Sequence, residues 1–138
     1  MTNRMFSGKD KSQKGLSGSA AEQMALEFLQ ARGLTLSARN FRTRRGEIDL
    51  IMLDNKVLVF VEVRFRRSAV FGSAEESITA QKCQRLMAAA EAYMQRYKLT
   101  EKVSARFDAI AISPQGQAKS SSQSIDGYCV NWIQNILQ

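Results

Sequence analysis

Two apolar, β-branched runs on either side of Asp54-Asn55 constrain the fold of this chain more than any other feature. The first run reads GEIDLIML and the second reads KVLVFVEVRF. Both runs have the composition of β-strands, and Asp-Asn between them is a two-residue turn signal. The pattern therefore predicts a β-hairpin with Asp54 and Asn55 as its turn.

Three carboxylates lie inside these runs, where a small domain most needs apolar residues. With Asp54-Asn55 as the turn, Glu47 is expected directly opposite Glu62, and Asp49 diagonal to Glu62. Side chains alternate between faces along a strand, so these acids and Arg64 are expected on one face. Like charges opposite each other destabilise a sheet, and a divalent cation that prefers oxygen ligands, such as Mg²⁺ or Mn²⁺, would offset the repulsion.

An ordinary solvated face is the alternative interpretation of these acids. A hairpin with one exposed face carries Glu, Asp and Arg as surface residues, and their cross-strand ion pairs have small net value. The residues Ile51, Leu58 and Phe60 share the same predicted face and favour a half-apolar pocket floor instead. Spacing alone leaves both interpretations open.

Two amphipathic helices are predicted, one before the hairpin and one after it. Apolar residues recur at helical spacing from Ala21 to Leu29, so a helix is expected from Ser19, closed by Gly33. Thr79 is expected to cap the second helix. The apolar positions of that helix are Cys83, Leu86, Met87, Ala90, Tyr93, Met94 and Tyr97.

Two acids outside the hairpin each have two candidate roles. Ser19-Ala20-Ala21-Glu22 has the form of a capping box, in which Glu22 satisfies the first helical turn. Glu22 also borders the apolar stripe of the helix, from where it would extend toward the sheet. Asp108 shares a strand face with Arg106, which predicts an ion pair within the sheet or support for the site.

The remaining segments complete one domain of the α/β class. Residues 1–18 are rich in Lys, Ser and Gly and are expected to form a mobile basic arm, followed by a single domain at 19–138. A mixed sheet with a central hairpin flanked by helices accounts best for the order of elements. Outside the hairpin and helices we expect a short strand or an extended link at 34–41, a strand at 104–112, and loops at 71–79 and 114–124. The segment 127–138 is expected to be packed, with its type of structure left open.

Composition narrows the chemistry that the chain can perform. Twenty Lys and Arg against thirteen Asp and Glu give a net charge of +7, which favours polyanionic partners. The absence of histidine, with two cysteines in the whole sequence, excludes an imidazole base and the usual zinc-binding sets. Catalysis would therefore depend on carboxylates, lysines, arginines or a metal ion.

The sequence has no apolar run of membrane-spanning length and no secretory signal, so a cytoplasmic location without membrane contact is expected.

Several motifs in a fixed order carry a family resemblance. They are AAEQMALEFLQARG, GEIDLI, VFVEVR, FGSAEESIT and RFDAIAI, which together cover about residues 18–112, with a fainter match at WIQNILQ. In this order they resemble the YraN-type family of uncharacterised bacterial proteins. That family is similar to the archaeal Holliday-junction resolvases within the PD-(D/E)xK nuclease superfamily.

The resemblance implies a restriction-endonuclease-like core that binds Mg²⁺ or Mn²⁺. Glu22 matches the acid of the first helix, Asp49 the aspartate of the hairpin, and Glu62-Val63-Arg64 the E-x-K position. Glu47 belongs to the GEIDL signature and is expected beside the ligands or as an alternative ligand. The family usually has lysine at the position of Arg64. Arginine stays protonated and does not act as a base, but it stabilises charge on a phosphate.

The expected function is therefore metal-dependent hydrolysis of phosphodiester bonds in structured or branched DNA. The resemblance also suggests a homodimer, since a junction presents paired strands. A catalytically impaired module of the same fold that binds nucleic acid is the first alternative, and a structural or protein-interaction domain is the second. The residues expected to bind flanking phosphates are Arg42, Arg44, Arg45, Arg66, Arg67, Lys82 and Arg85.

Overall fold

The structure, a computed structural model, describes residues 16–65, 79–114 and 123–137. Its described strands form one six-stranded sheet in the order β1-β2-β3-β4-β6-β5. β3 and β4 are parallel and the other neighbouring pairs are antiparallel, which confirms the α/β class with a mixed sheet. The hairpin β2–β3 lies inside the sheet, an arrangement compatible with a restriction-endonuclease-like core. In chain order the elements are α1 (Gly18–Ala31), β1 (Thr35–Arg42), β2 (Glu47–Asp54), β3 (Val57–Phe65), α2 (Ala80–Arg96), β4 (Ser104–Pro114), β5 (Gln123–Ile125) and β6 (Tyr128–Ile133).

Helix α1 begins earlier than the sequence predicted. Ser17 is the N-cap, and its side chain accepts a hydrogen bond of 3.1 Å from the backbone N–H of Ala20. The capping-box hypothesis for Ser19 and Glu22 is therefore wrong, because Glu22 lies beyond the first turn. At the other end Gly33 has a φ of 97°, which confirms its predicted place just after the helix. Of the predicted arm, residues 1–15 lie outside the described residues.

The two helices cover opposite faces of the sheet and divide the core into two clusters. The neighbours Leu50 and Ile51 on β2 contribute to different clusters, as alternation along a strand requires. The cluster under α1 includes Leu29, Leu50, Val61 and Ile110. The cluster under α2 includes Ile51, Phe60, Leu86 and Tyr93. Neither described helix has both the length and the apolar stretch needed to cross a membrane.

Helix α2 begins at the predicted cap but buries a narrower stripe than predicted. The Thr79 side chain accepts a hydrogen bond of 3.1 Å from the backbone N–H of Lys82, which confirms it as the N-cap. Met87 and Tyr97, two of the apolar positions named from the sequence, are 54% and 53% exposed. Met87 follows buried Leu86 and is turned about 100° around the helix from it, which directs its side chain to solvent. Cys83, expected in the core, is partly buried.

The hairpin forms, but its turn lies one residue further along than predicted. Asp54 pairs with Val57 and Leu53 with Leu58, so Asn55 and Lys56 form the turn. Asn55 has a φ of 57°, a conformation that asparagine tolerates well. Asp54 is held in the strand because its carboxylate accepts a hydrogen bond of 3.1 Å from Arg106. The register changes by two residues, so the predicted alternation of faces is kept around the turn while every predicted cross-strand pair is wrong.

The C-terminal segment, left open by the sequence, forms β6 beside β4 and pairs with the short strand β5. Asp126 and Gly127 connect β5 to β6 with φ angles of 49° and 84°. This Asp-Gly turn signal was available in the sequence and was missed. The predicted loop at 114–124 is wrong at both ends, since Pro114 ends β4 and Gln123 begins β5. Residues 115–122, like 71–78 of the other predicted loop, lie outside the described residues.

Candidate functional site

A cavity of about 540 Å³ opens where β2 begins, β3 ends and the first turns of α2 cross the sheet. Most of the site residues predicted from the sequence lie together on its wall. Glu22 lies beside this wall, in contact with Asp49, and Arg66 and Arg67 lie outside the described residues. The lining residues are Arg42, Thr43, Arg44, Arg45, Gly46, Glu47, Asp49, Glu62, Val63, Arg64, Lys82, Arg85 and Leu86.

The cavity opens because β2 and β3 separate at Asp49. Their last backbone pair is Leu50 with Val61; beyond it β2 pairs with β1, and β3 pairs with β4. The backbone N–H of Val63 donates a hydrogen bond of 2.8 Å to Oδ2 of Asp49. The aspartate side chain thus takes the place of a backbone partner, which satisfies the donor while the two strands move apart.

Glu47, Asp49, Glu62 and Arg64 all line the cavity, but the side chains of β2 do not alternate regularly through Asp49. Ile48 and Ile51 belong to the same core cluster although three positions separate them, so alternation is interrupted between them. In β1, Asn40 has a φ of 55° and lies between the residues that pair with Leu50 and Ile48. Asp49 therefore lies at the irregularity of β2, one position beyond the last pair of β2 with β3.

Asp49 lies at the centre of a group of interacting carboxylates. Burial, followed by the negative charge of Glu62, raises the pKa of Asp49 to about 7. Glu22 and Glu47 raise this pKa further, whereas the Val63 N–H lowers it. Burial also raises the pKa of Glu22, whose side chain hydrogen-bonds with that of Asp49. Burial and the neighbouring carboxylates thus favour the protonated form of Asp49 near neutral pH, or a cation beside it.

This raised pKa predicts that the metal-free protein loses stability as the pH rises from about 4 to 7. The folded protein binds more protons than the unfolded chain between the unfolded pKa of about 3.9 and the folded pKa of about 7. Asp49→Asn removes this titration and keeps an acceptor for Val63. In urea unfolding with EDTA, the variant should exceed the wild type by about 1 kcal/mol or more at pH 8 and approach it at pH 4.5. An equal difference at both pH values would contradict the expectation.

Glu62 and Glu47 differ in how their charges are balanced. Glu62 is 4% exposed, and its Oε2 lies 3.2 Å from Nη1 of Arg64 and 3.1 Å from Nζ of Lys82. Oε1 of Glu47 lies 3.1 Å from Nε of Arg42, and both side chains are more than half exposed. The solvated-face interpretation therefore fits Glu47, whose ion pair contributes little. It does not fit Glu62, a buried carboxylate that two cations neutralise.

A tight turn at 43–46, missed by the sequence analysis, holds two arginines at the rim of the cavity. The Thr43 hydroxyl accepts hydrogen bonds of 3.1 Å from the N–H groups of Arg45 and Gly46, and donates one of 3.0 Å to the Gly46 carbonyl. Arg44 and Arg45 are exposed at the tip of this turn. The signal available in the sequence was a threonine three positions before a glycine, since threonine hydroxyls commonly close such turns.

Gly46 lets the turn contact helix α2 directly. A Cβ at this position would overlap the carbonyl oxygen of Arg85 and lie 2.8 Å from its carbonyl carbon. Only glycine therefore allows this approach. The contact fixes the distance between the arginines of the turn and the cationic first turns of α2.

Gly46→Ala is expected to lower the free energy of unfolding by about 1–3 kcal/mol, because the added methyl group forces the turn away from Arg85. Urea unfolding measures the loss. Gly18→Ala is the matched control, since a Cβ there meets nothing within 4 Å. Equal stability of the two variants would show that the turn adjusts freely and does not position the rim.

The acids supply the oxygen donors that Mg²⁺ and Mn²⁺ prefer. Within the described ranges no three acids or cysteines are already grouped closely enough to hold a metal ion. Mg²⁺ does not require such a cage, because it commonly binds one or two carboxylates and completes its shell with water and substrate phosphates. Asp49 and Glu62, two neighbouring carboxylates in the wall of the cavity, fit this mode, with Glu22 adjacent to Asp49.

The fold and the cavity define an α/β protein whose mixed sheet opens onto a carboxylate cluster bordered by cations. The uncharacterised protein family UPF0102 matches residues 21–112. A UPF0102 protein of Stutzerimonas stutzeri is 43% identical over 122 residues, covering 88% of this chain and 94% of the relative. A UPF0102 protein of Nitrosococcus oceani is 51% identical over 98 residues, covering 71% and 79%. The chain belongs to the UPF0102 family, the YraN-type family of bacterial proteins that its motifs resemble.

Proposed function

We propose that this protein is a metal-dependent endonuclease that hydrolyses phosphodiester bonds in structured or branched DNA. One observation carries the proposal: neighbouring carboxylates and a group of cations line the same cavity. Carboxylates suit a divalent cation, and a surrounding set of Arg and Lys suits the phosphates on either side of a scissile bond. The net charge of +7 supports a polyanionic substrate.

In this proposal Asp49 and Glu62 hold Mg²⁺ or Mn²⁺, and Glu22 contributes through its contact with Asp49. The bound ion supplies activation of water and neutralisation of the leaving oxygen. Arg64 contacts the scissile phosphate and stabilises the charge that develops on it. Glu47, through its ion pair with Arg42, orients that arginine at the rim of the cavity.

The other cations of the cavity bind flanking phosphates in the same proposal. Such contacts carry no sequence information, so binding should be largely independent of sequence and should weaken steeply with salt. The arginines of the turn and the cations at the start of α2 line the same cavity, and the backbone of a nucleic acid would contact both groups. The residues concerned are Arg42, Arg44, Arg45, Lys82 and Arg85.

A binding module without efficient cleavage is the second candidate, and the environment of Glu62 favours it. The carboxylate that would hold the metal already pairs with Arg64 and Lys82. Arg64 also occupies the position where a lysine would help to deprotonate water, and arginine does not act as a base. The same surface would then recognise the shape of a nucleic acid without cutting it.

Cleavage assays with the full chain distinguish the two candidates. A four-way DNA junction and a linear duplex are incubated with the protein in Mg²⁺, in Mn²⁺ and in EDTA. Metal-dependent nicking, stronger on the junction, supports the enzyme. Tight binding without nicking supports the module, and absence of both DNA and metal binding overturns both. A marked gain of cleavage in Arg64→Lys would show that this position limits the native protein.

The proposed substrate also gives expectations for assembly and location. A junction presents paired strands, so a symmetric homodimer suits it. A cytoplasmic location, where bacterial DNA is accessible, belongs to the same proposal. Light scattering with and without a four-way junction tests the assembly, and a monomer bound singly to the junction would argue against it.

A further inference from the structure

The two cations on Glu62 compete with the metal ion that the proposed function requires. Nη1 of Arg64 and Nζ of Lys82 approach the same oxygen, Oε2 of Glu62, at 3.2 and 3.1 Å. The Glu62 side chain is 5% exposed, so it depends on these partners for its neutralisation. A divalent cation at this carboxylate would lie within a few ångströms of two positive charges, and that repulsion opposes its binding.

Both cations border the cavity as well as Glu62. Their side chains are 22% and 35% exposed and line the cavity, whereas the carboxylate that they neutralise is buried. Lys82 lies on α2 and Arg64 on β3, so the two can leave Glu62 independently of each other. A phosphate group bound in the cavity would offer each of these two side chains oxygen acceptors that, like the carboxylate of Glu62, carry a negative charge.

We propose that Arg64 and Lys82 are exchangeable counter-ions of Glu62, which transfer to substrate phosphate and thereby release the carboxylate for a divalent cation. The inference rests on the proposed function and adds its regulation. Nucleic acid and metal ion then bind with positive coupling, and by linkage each raises the affinity for the other by the same factor. Without nucleic acid the site neutralises itself, which limits hydrolysis to the substrate complex.

Calorimetric titration tests the coupling without relying on cleavage. Ca²⁺, which takes oxygen ligands, is titrated into the full chain alone and into the chain saturated with a four-way DNA junction, with the DNA checked as intact afterwards. We expect at least about fivefold tighter Ca²⁺ binding in the complex. Lys82→Gln and Arg64→Gln should each bind Ca²⁺ more tightly than the wild type without DNA, and each should gain less from DNA.

Two further variants separate this mechanism from a general effect of charge. Arg85 lies on the same wall of the cavity but does not pair with Glu62 in the described structure. Arg85→Gln should therefore weaken DNA binding and leave the affinity for Ca²⁺, measured without DNA, unchanged. Lys82→Arg keeps the positive charge beside Glu62, so without DNA it should bind Ca²⁺ more weakly than Lys82→Gln does. Thermal unfolding checks that each variant is folded.

The outcomes distinguish failure of the inference from failure of the proposed function. If Lys82→Gln and Arg64→Gln bind Ca²⁺ no more tightly than the wild type, the two cations do not compete with the metal ion and the inference is overturned. An equal gain in Arg85→Gln overturns it as well, since the effect would then be general. If the wild type binds neither Ca²⁺ nor DNA, the proposed function itself fails.

Discussion

Asp49→Asn is expected to abolish metal-dependent cleavage of a four-way DNA junction and to leave the affinity for the junction within about threefold of the wild type. Asp49 is the carboxylate on which Glu22, Glu47 and Glu62 all act electrostatically. In the proposed function it is a direct metal ligand, so its loss should exceed the roughly 10–100-fold cost of removing an outer partner. The asparagine keeps the shape and an acceptor for Val63, so the separation of the strands is preserved.

Single-turnover cleavage and DNA-binding titrations, made on the same preparations, measure the two effects separately. Glu47→Gln is the matched control, because Glu47 lies in the same cavity but is exposed and forms a surface ion pair. Its loss should lower cleavage about tenfold or less. An Asp49→Asn variant that cleaves within tenfold of the wild type would remove Asp49 from the metal site. A variant that loses DNA binding instead would assign Asp49 a structural role.

Local patterns were sufficient to predict the helices and the hairpin. Thr79 caps α2 because a hydroxyl just before an amphipathic stretch can accept a hydrogen bond from a backbone N–H of the first turn. The exact register needed more than local information. Asp54 remains in β2 because Arg106, which lies on β4, binds its carboxylate. A contact between residues so distant in sequence cannot be derived from the preference of Asp-Asn for turns.

Most of the residues that line the cavity could be predicted from the sequence, but the contacts between them could not. The hairpin predicts that Asp49 and Glu62 lie close together, and this holds in spite of the wrong register. The interruption of alternation at Asp49 lies beside Asn40, a residue of positive φ in the neighbouring strand. Likewise Lys82 reaches Glu62 because α2 crosses the sheet there, a consequence of tertiary packing.

The sequence predicted no role for the C-terminal strand β6. The contacts that connect the C-terminal segment to the core join residues that are far apart in the sequence. Asp108 is fully buried on β4. Its carboxylate accepts hydrogen bonds from Trp132 at 2.9 Å, from the backbone N–H of Asn135 at 3.0 Å and from Arg106 at 3.1 Å. The predicted ion pair with Arg106 is confirmed, yet the partners from the C-terminal segment come from residues more than twenty positions away.

Asp108→Ala should therefore lower the free energy of unfolding by about 3–5 kcal/mol, the loss typical of removing one partner from a buried ion pair. Arg106 would keep only Asp54 as a described carboxylate partner, and the indole N–H of Trp132 would lose its acceptor. Trp132 is the single tryptophan of the chain, so its fluorescence during urea unfolding reports on this region directly.

Asp54→Ala is the control for that variant, because Asp54 pairs with the same arginine but is partly exposed. Its loss should lower the free energy of unfolding by about 1 kcal/mol or less. Asp108→Asn, which keeps an acceptor for Trp132 but loses the charge, should fall between the two. Equal losses from Asp54→Ala and Asp108→Ala would mean that Arg106 alone is responsible. A loss greater in Asp108→Ala than in Asp54→Ala is expected, because Asp108 is more deeply buried and also accepts hydrogen bonds from Trp132 and Asn135, through which the C-terminal segment contacts β4.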